Sequence, residues 1–155
     1  MMRRFAFALF ALLALAVPAA AQTQGESPIK ITADVFVVDD ETKLATFTGS
    51  VVVVRKDMTV WAAKVVVDYG EGGPSNIKSF VATGNVRIKT NDQDATGDRA
   101  VYDPKAETLK LTGNVMVVNA SSTVGGPDLL IDLNANTTTF TGGRDGRVTG
   151  VFTPQ

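Results

Sequence analysis

Of the six threonine-glycine pairs in this chain, four recur at long, similar intervals, each after an apolar residue: Phe47-Thr48-Gly49-Ser50, Ala82-Thr83-Gly84-Asn85, Leu111-Thr112-Gly113-Asn114 and Phe140-Thr141-Gly142-Gly143. These four glycines stand 35, 29 and 29 residues apart. Intervals of that size mark one supersecondary unit stacked on copies of itself, since a single unit cannot bury its own apolar face. Any function must therefore suit a long, repetitive surface.

The first three of these four pairs each lead into a β-rich run, Val51 to Val54, Val86 to Lys89 and Val115 to Val118. In the second run Val86 and Ile88 alternate with Arg87 and Lys89, which separates an inward from an outward face. Carrying that parity back through Gly84 turns Ala82 and Phe80 inward as well. The same rule selects Phe47, Val51 and Val53 in the first copy, Leu109, Leu111, Val115 and Val117 in the third, and Phe140 in the fourth. Each glycine is either the start of a two-residue hairpin turn or a bend inside one longer strand. Unbroken parity favours the bend, and a bend repeated in every copy would fold the sheet along a crease.

A second half-motif alternates with the first: Ala33-Asp34, Ala63-Lys64, Gly97-Asp98 and Pro127-Asp128, at intervals of 30, 34 and 30 residues. Turn signals separate the halves, among them Val38-Asp39-Asp40-Glu41, Gly70-Glu71-Gly72-Gly73-Pro74, Asp103-Pro104-Lys105 and Asn134-Ala135-Asn136. No stretch after Ala21 carries a helical period, so the expected fold is all-β, an antiparallel sheet with meander connections.

Met1 to Ala21 has the make-up of a cleaved secretory signal: Arg3 and Arg4, an apolar stretch from Phe5 to Val17, and Ala19-Ala20-Ala21 before the cut. Residues 22–155 then form one domain, with 13 basic and 16 acidic residues. No basic stripe is present to neutralise a run of phosphates, so nucleic acid is not an expected partner. The chain has no histidine and no cysteine, which removes disulfides, thiolate metal sites and the commonest nucleophile-base pairs. Asn91, Asp92, Asp94 and Asp98 lack the spacing of a calcium loop and fit a polar turn. Asp39 and Asp40, adjacent on a strand, point apart and are poorly placed for acid–base work. Neither enzymatic activity, metal nor cofactor is expected. Trp61 is open to two roles, contact with an apolar ligand or anchor at a rim.

The order of these pieces resembles the OstA-like family, most closely its periplasmic lipopolysaccharide-transport bridge members. The matching stretches are Pro28 to Asp34, Ala45 to Val53, Ala62 to Val67, Gly97 to Tyr102, Leu111 to Val115 and Gly146 to Pro154. Departures fall at Ser50, where the pattern usually has asparagine, at Lys64, where it has aspartate, and at Pro127, inserted before Asp128.

The resemblance implies an antiparallel repeat sheet folded lengthwise into a V-shaped open β-jelly roll with an apolar groove. Phe47, Val51, Val53, Phe80, Val86, Ile88, Leu111, Val115, Val117 and Phe140 would line that groove; by residue pattern alone the same face would form a closed core. Unpaired strand edges are expected at both ends, at Ile29, Ile31 and Val35 and at Arg147, Val148 and Val151. The implied function is a periplasmic carrier that shields the acyl chains of lipopolysaccharide, the lipid A portion, and passes them from the inner to the outer membrane. Its implied partners are an inner-membrane anchored and an outer-membrane OstA-like protein and further copies of itself, end to end. The rival reading is a non-catalytic β-repeat scaffold of the cell envelope.

Overall fold

Alternation of apolar and polar residues over ten to twelve positions, punctuated by Asp- and Asn-rich turns, leaves the chain one economical solution: long strands meeting neighbours through short hairpins. The computed structural model describes residues 27–155 except positions 57 and 145; the expected signal segment lies outside the described residues. The strands are β1 (Lys30–Thr32), β2 (Val35–Asp39), β3 (Leu44–Arg55), β4 (Met58–Asp68), β5 (Ser79–Lys89), β6 (Asp94–Asp103), β7 (Thr108–Val118), β8 (Ser122–Asp132), β9 (Thr137–Thr141) and β10 (Thr149–Phe152). All belong to one antiparallel sheet in which β3 to β8 follow in sequence order. Among the described residues the only helical element is a single 3-10 turn at Gly73–Ser75, and no helix is long and apolar enough to cross a membrane.

Both ends of the sheet are built from split strands. β1 pairs with the Val52 to Val54 half of β3 while β2 pairs with its Leu44 to Thr48 half. At the far end β9 pairs with Asp128 to Asp132 of β8 and β10 with Ser122 to Gly125. The fourth Thr-Gly thus ends a strand instead of bending one, because Gly142 opens a connection that returns to the same neighbour only at Thr149.

At the first three Thr-Gly sites the strand runs on, as the parity argument expects. Gly49, Gly84 and Gly113 have φ of +84°, +83° and +78°, and Ser50, Asn85 and Asn114 after them have φ of +43°, +47° and +50°. Two successive left-handed residues add an even number of positions, so side-chain parity survives in β3, β5 and β7. The neighbouring strands contribute one residue where these contribute two, which shifts the register between Thr83 and Val86 and at the equivalent places. Parity therefore flips in β4, β6 and β8. In β6 the buried Ala95 and Gly97 are followed by the buried Ala100, with exposed Asp98 and Arg99 between.

The flip corrects the second half-motif by one residue. Thr48 and Thr83 both pair with Lys64, Thr83 and Thr112 with Arg99, and Thr112 with Asp128. The equivalent triplets are thus Ala33-Asp34-Val35, Ala62-Ala63-Lys64, Gly97-Asp98-Arg99 and Gly126-Pro127-Asp128, so Ala63 and Pro127 occupy the position of Asp34 and Asp98. The two half-motifs form one feature: a methyl group on Gly49 would collide with Asp34, one on Gly113 with Asp98, and one on Gly84 would lie 2.6 Å from the Ala63 Cβ.

That line of contacts is a crease. In a flat sheet the inner-face positions of Arg55 and Tyr102, three strands and about ten residue steps apart, would be separated by on the order of 35 Å. Instead Arg55 Nη1 donates a hydrogen bond of 2.9 Å to the Tyr102 hydroxyl. The sheet is folded double, and the two leaves close on a core of Val51, Val65, Val86, Leu111, Val115 and Leu129, all under 3 % exposed.

Three hairpins repeat one device. Asp39 Oδ1 accepts from the amides of Glu41 and Thr42, Asp103 Oδ1 from Lys105 and Ala106, and Asp132 Oδ1 from Ala135. Each loop closes on a left-handed residue, Lys43, Glu107 or Asn136. The amides of Thr42 and Glu41 also hold the Asp39 carboxyl below its ordinary pKa.

Ser50 departs from the pattern at a place where the structure gives the difference a cost. Asn114 tolerates its left-handed backbone and donates 3.3 Å to Asp98; Ser50 sits in the same frame, beside Gly49 and Asp34, with a shorter side chain. Ser50→Asn is expected to stabilise the fold by about 1 kcal/mol, through better left-handed tolerance and one added hydrogen bond. A thermal melt reads this directly, and an unchanged or lower midpoint would refute it.

Candidate functional site: an apolar groove between the leaves

Because inward positions are apolar except at the strand ends, where Arg55 and Tyr102 stand, the leaves meet without a buried polar side chain among the described residues. Near the crease they pack shut. Away from it they separate and leave two connected clefts. The first, about 50 Å³, is lined by residues of both leaves, among them Val53, Met58, Val60 and Ile88 from one and Val65, Phe80, Ala82 and Leu109 from the other. That volume holds only a few waters. The second is wider, about 320 Å³, and opens beside β2, with Ile31, Phe36, Ala45, Phe47, Val67 and Ile77 among its walls. Ile29 and Phe80 border both. Phe36 stacks on Phe47 at 4.5 Å between centroids, and Phe80 stands 6.0 Å from Tyr102.

The ten residues expected to line a groove fall into two groups. Phe47, Val53, Phe80 and Phe140 are half-buried, the first three on cleft walls. Val51, Val86, Ile88, Leu111, Val115 and Val117 are buried in the core, and of these only Ile88 reaches either of the two clefts. Val51, Val86, Leu111 and Val115 lie next to the crease, where the leaf separation is set by their own side chains, while Ile88 and Val117 share a cross-strand row with the half-buried Val53 and are covered by their position inside the sheet. Cleft residues outside the expected groove set include Ile29, Met58, Val60, Ile77, Arg55 and Tyr102. Met58 and Val60 are hidden in the sequence by the parity flip in β4. Arg55 carries a legible signal, being the charged third member of the inward series Val51, Val53, Arg55.

Trp61 takes neither of its expected roles. It neighbours the inward Ala62, so it lies on the outer face, where the Arg87 guanidinium stands 5.4 Å from its ring centroid. Arg87 in turn holds Asp94 through two contacts of 2.9 and 2.6 Å, and that hydrogen bonding lowers the Asp94 pKa. Asp94 and Asp98 are thus engaged separately, one with Arg87 and the other with Asn114 at the crease.

At the edges, Ile31 and Val35 fall in β1 and β2, Val35 being 53 % exposed, and Ile29 precedes β1. Arg147 and Val148 precede β10 instead of lying in it, and Val151 is within it. The Thr153 amide donates to the Ser121 carbonyl. Since backbone groups alternate sides along a strand, the Val151 amide also faces β8, and those of Gly150 and Phe152 face the open edge. Among the described residues the outer sides of β1, β2, β9 and β10 have no strand partner.

Comparison with known proteins agrees with this architecture. The family model described as LptA/(LptD N-terminal domain) LPS transport protein matches residues 30–137. An uncharacterised protein of Rhizobium meliloti (strain 1021) is 29 % identical over 127 residues, covering 75 % of this chain and 68 % of the relative. Among solved structures, LptH of Pseudomonas aeruginosa, the LptA-homologous periplasmic component of the lipopolysaccharide transport device, superposes with a TM-score of 0.72 at 20 % identity. The match covers 83 % of this chain and 97 % of LptH, and at that identity it speaks for the folded-sheet architecture. With the family model spanning β1 into β9, the chain belongs to the LptA/LptD N-terminal domain family of lipopolysaccharide transport proteins.

Proposed function

We propose that this protein is a periplasmic carrier that shields lipopolysaccharide acyl chains between its leaves and hands them along a bridge from the inner to the outer membrane. The observation that carries the proposal is the continuity of the apolar inner face through every repeat, open toward solvent along Ile29, Phe47, Val53 and Phe80. Burying a methylene is worth about 0.8 kcal/mol, so a medium-length acyl chain costs on the order of 10 kcal/mol to expose to water. A trough of near-equivalent apolar sites lets such a chain advance without leaving protein. The charged sugar stays outside.

Secretion through cleavage after Ala21 accords with this location. The unpartnered split strands at both ends suit strand addition, to further copies of the chain or to related inner- and outer-membrane proteins. No step requires catalysis or a cofactor.

Photocrosslinking to lipopolysaccharide tests the carrier reading. A probe at Phe80, on both clefts, is expected to label strongly. Probes at Leu111, in the closed core, and at Trp61, on the outer face, are expected to label at background. Equal labelling at Phe80 and Trp61 would remove the groove, and no labelling anywhere would favour the scaffold.

A further inference from the structure

The narrow cleft is apolar in all but its rim. Of its twelve described lining residues Arg55 alone carries a formal charge and Tyr102 is the other polar side chain, and both line the cleft through carbon atoms, with their polar ends bonded to each other beyond its wall. Arg55 is half-buried and has no carboxylate partner among the described residues. Its recorded contacts are the 2.9 Å hydrogen bond to the Tyr102 hydroxyl and a position 5.6 Å from the Tyr102 ring centroid. The pair joins the free end of one leaf to the free end of the other, across the side of the cleft away from the crease.

A guanidinium without a counter-charge is a costly choice for a mere tie between leaves, since a neutral donor would make the same bond. Its planar fork is suited to two oxygens of one anion, and a phenol satisfies only one donor. An apolar cleft ending at an unpaired guanidinium has the polarity of an anionic amphiphile: chains inside, a phosphate or carboxylate at the mouth. The width points the same way, because about 50 Å³ admits no acyl chain until the leaves part. The hydrogen bond to the phenol is one that an arriving anion would replace with a stronger, charge-assisted one.

We propose that Arg55 is the anion-binding residue of the groove, and that Tyr102 holds its guanidinium across the mouth until the phosphate of an acylated glycolipid displaces it. Resting on the carrier reading, this names the feature of the lipid that opens the narrow cleft. Acyl chains supply affinity, and phosphate supplies recognition at one fixed point.

Dye-displacement titrations of the full mature chain decide it, with bis-phosphorylated lipid A and the same lipid stripped of phosphate as ligands. Arg55→Gln is expected to weaken the phosphorylated lipid by about tenfold to a hundredfold, the range of a charge-assisted hydrogen bond, and to leave the phosphate-free lipid unchanged. Arg55→Lys recovers part of the loss, keeping charge without the fork. Tyr102→Phe binds the phosphorylated lipid at least as tightly as the parent, because the competing bond is gone. Equal weakening of both lipids by Arg55→Gln would make Arg55 structural, and no weakening would remove it from the headgroup. Inorganic phosphate alone, if it displaced the phosphorylated lipid as effectively as lipid itself, would assign the site to a free anion. A parent protein that bound neither lipid would overturn the carrier reading and this inference together. One that bound both lipids, with Arg55→Gln indifferent to phosphate, would overturn this inference alone.

Discussion

Gly84→Val is expected to destabilise the protein by about 3 kcal/mol or more, combining the left-handed penalty for a branched residue with overpacking against a neighbour. Gly84 has φ of +83° and its missing methyl would lie 2.6 Å from the Ala63 Cβ, on the paired strand β4. Neither atom can retreat without opening the ladder on both sides of the crease. Gly70→Val is the proper control. It also has a positive φ, +54°, but its Cβ would meet the end of the Lys78 side chain, which can swing into solvent. Gly70→Val should therefore cost markedly less. Thermal or urea melts of the two variants read the difference, and equal losses would show that the crease bears no more strain than a surface loop.

The second large effect concerns association. If the C-terminal edge recruits another strand, Phe152→Pro should abolish concentration-dependent growth in mass by light scattering, since the amide it removes points away from β8. Stability should hardly change. Phe152→Ala controls for the side chain, which is 70 % exposed, and should retain the amide-directed part of association. Val151→Pro removes an amide directed at β8 and should lower the melting midpoint as well. Association of Phe152→Pro equal to that of the parent would place the junction elsewhere.

The sequence shows the crease strands clearly and their neighbours poorly, for a physical reason. In β5 charged Arg87 and Lys89 declare the outer face, and the paired left-handed residues Gly84 and Asn85 preserve parity, so Phe80 and Ile88 are correctly placed together. In β4 and β6 a single residue opposes that pair and the alternation flips. Ala63 and Lys64 give no sign of it, which misaligned the second half-motif by one residue and left Trp61 without a face. The fourth copy differs again, because Gly142 leads into a returning connection. Nothing in Phe140-Thr141-Gly142-Gly143 distinguishes a strand that bends from one that stops.

The inward pattern is equally silent about depth. Leu111 and Phe80 obey the same parity, yet one is wholly enclosed and the other borders two clefts. Depth depends on distance from the crease and on what the facing leaf covers, and both exist only once the leaves have folded; Leu109, in the same cross-strand row as Phe80, is buried.

By itself, the sequence determined the repeat, the all-β class, the glycine crease and the apolar inner face, because period, turn chemistry and backbone freedom are local properties of residues. Tertiary structure alone decided how far the leaves stand apart, which inward residues seal the core and which remain open. It alone brought Arg55 of β3 against Tyr102 of β6, for that contact spans three strands and both leaves and has no local cause.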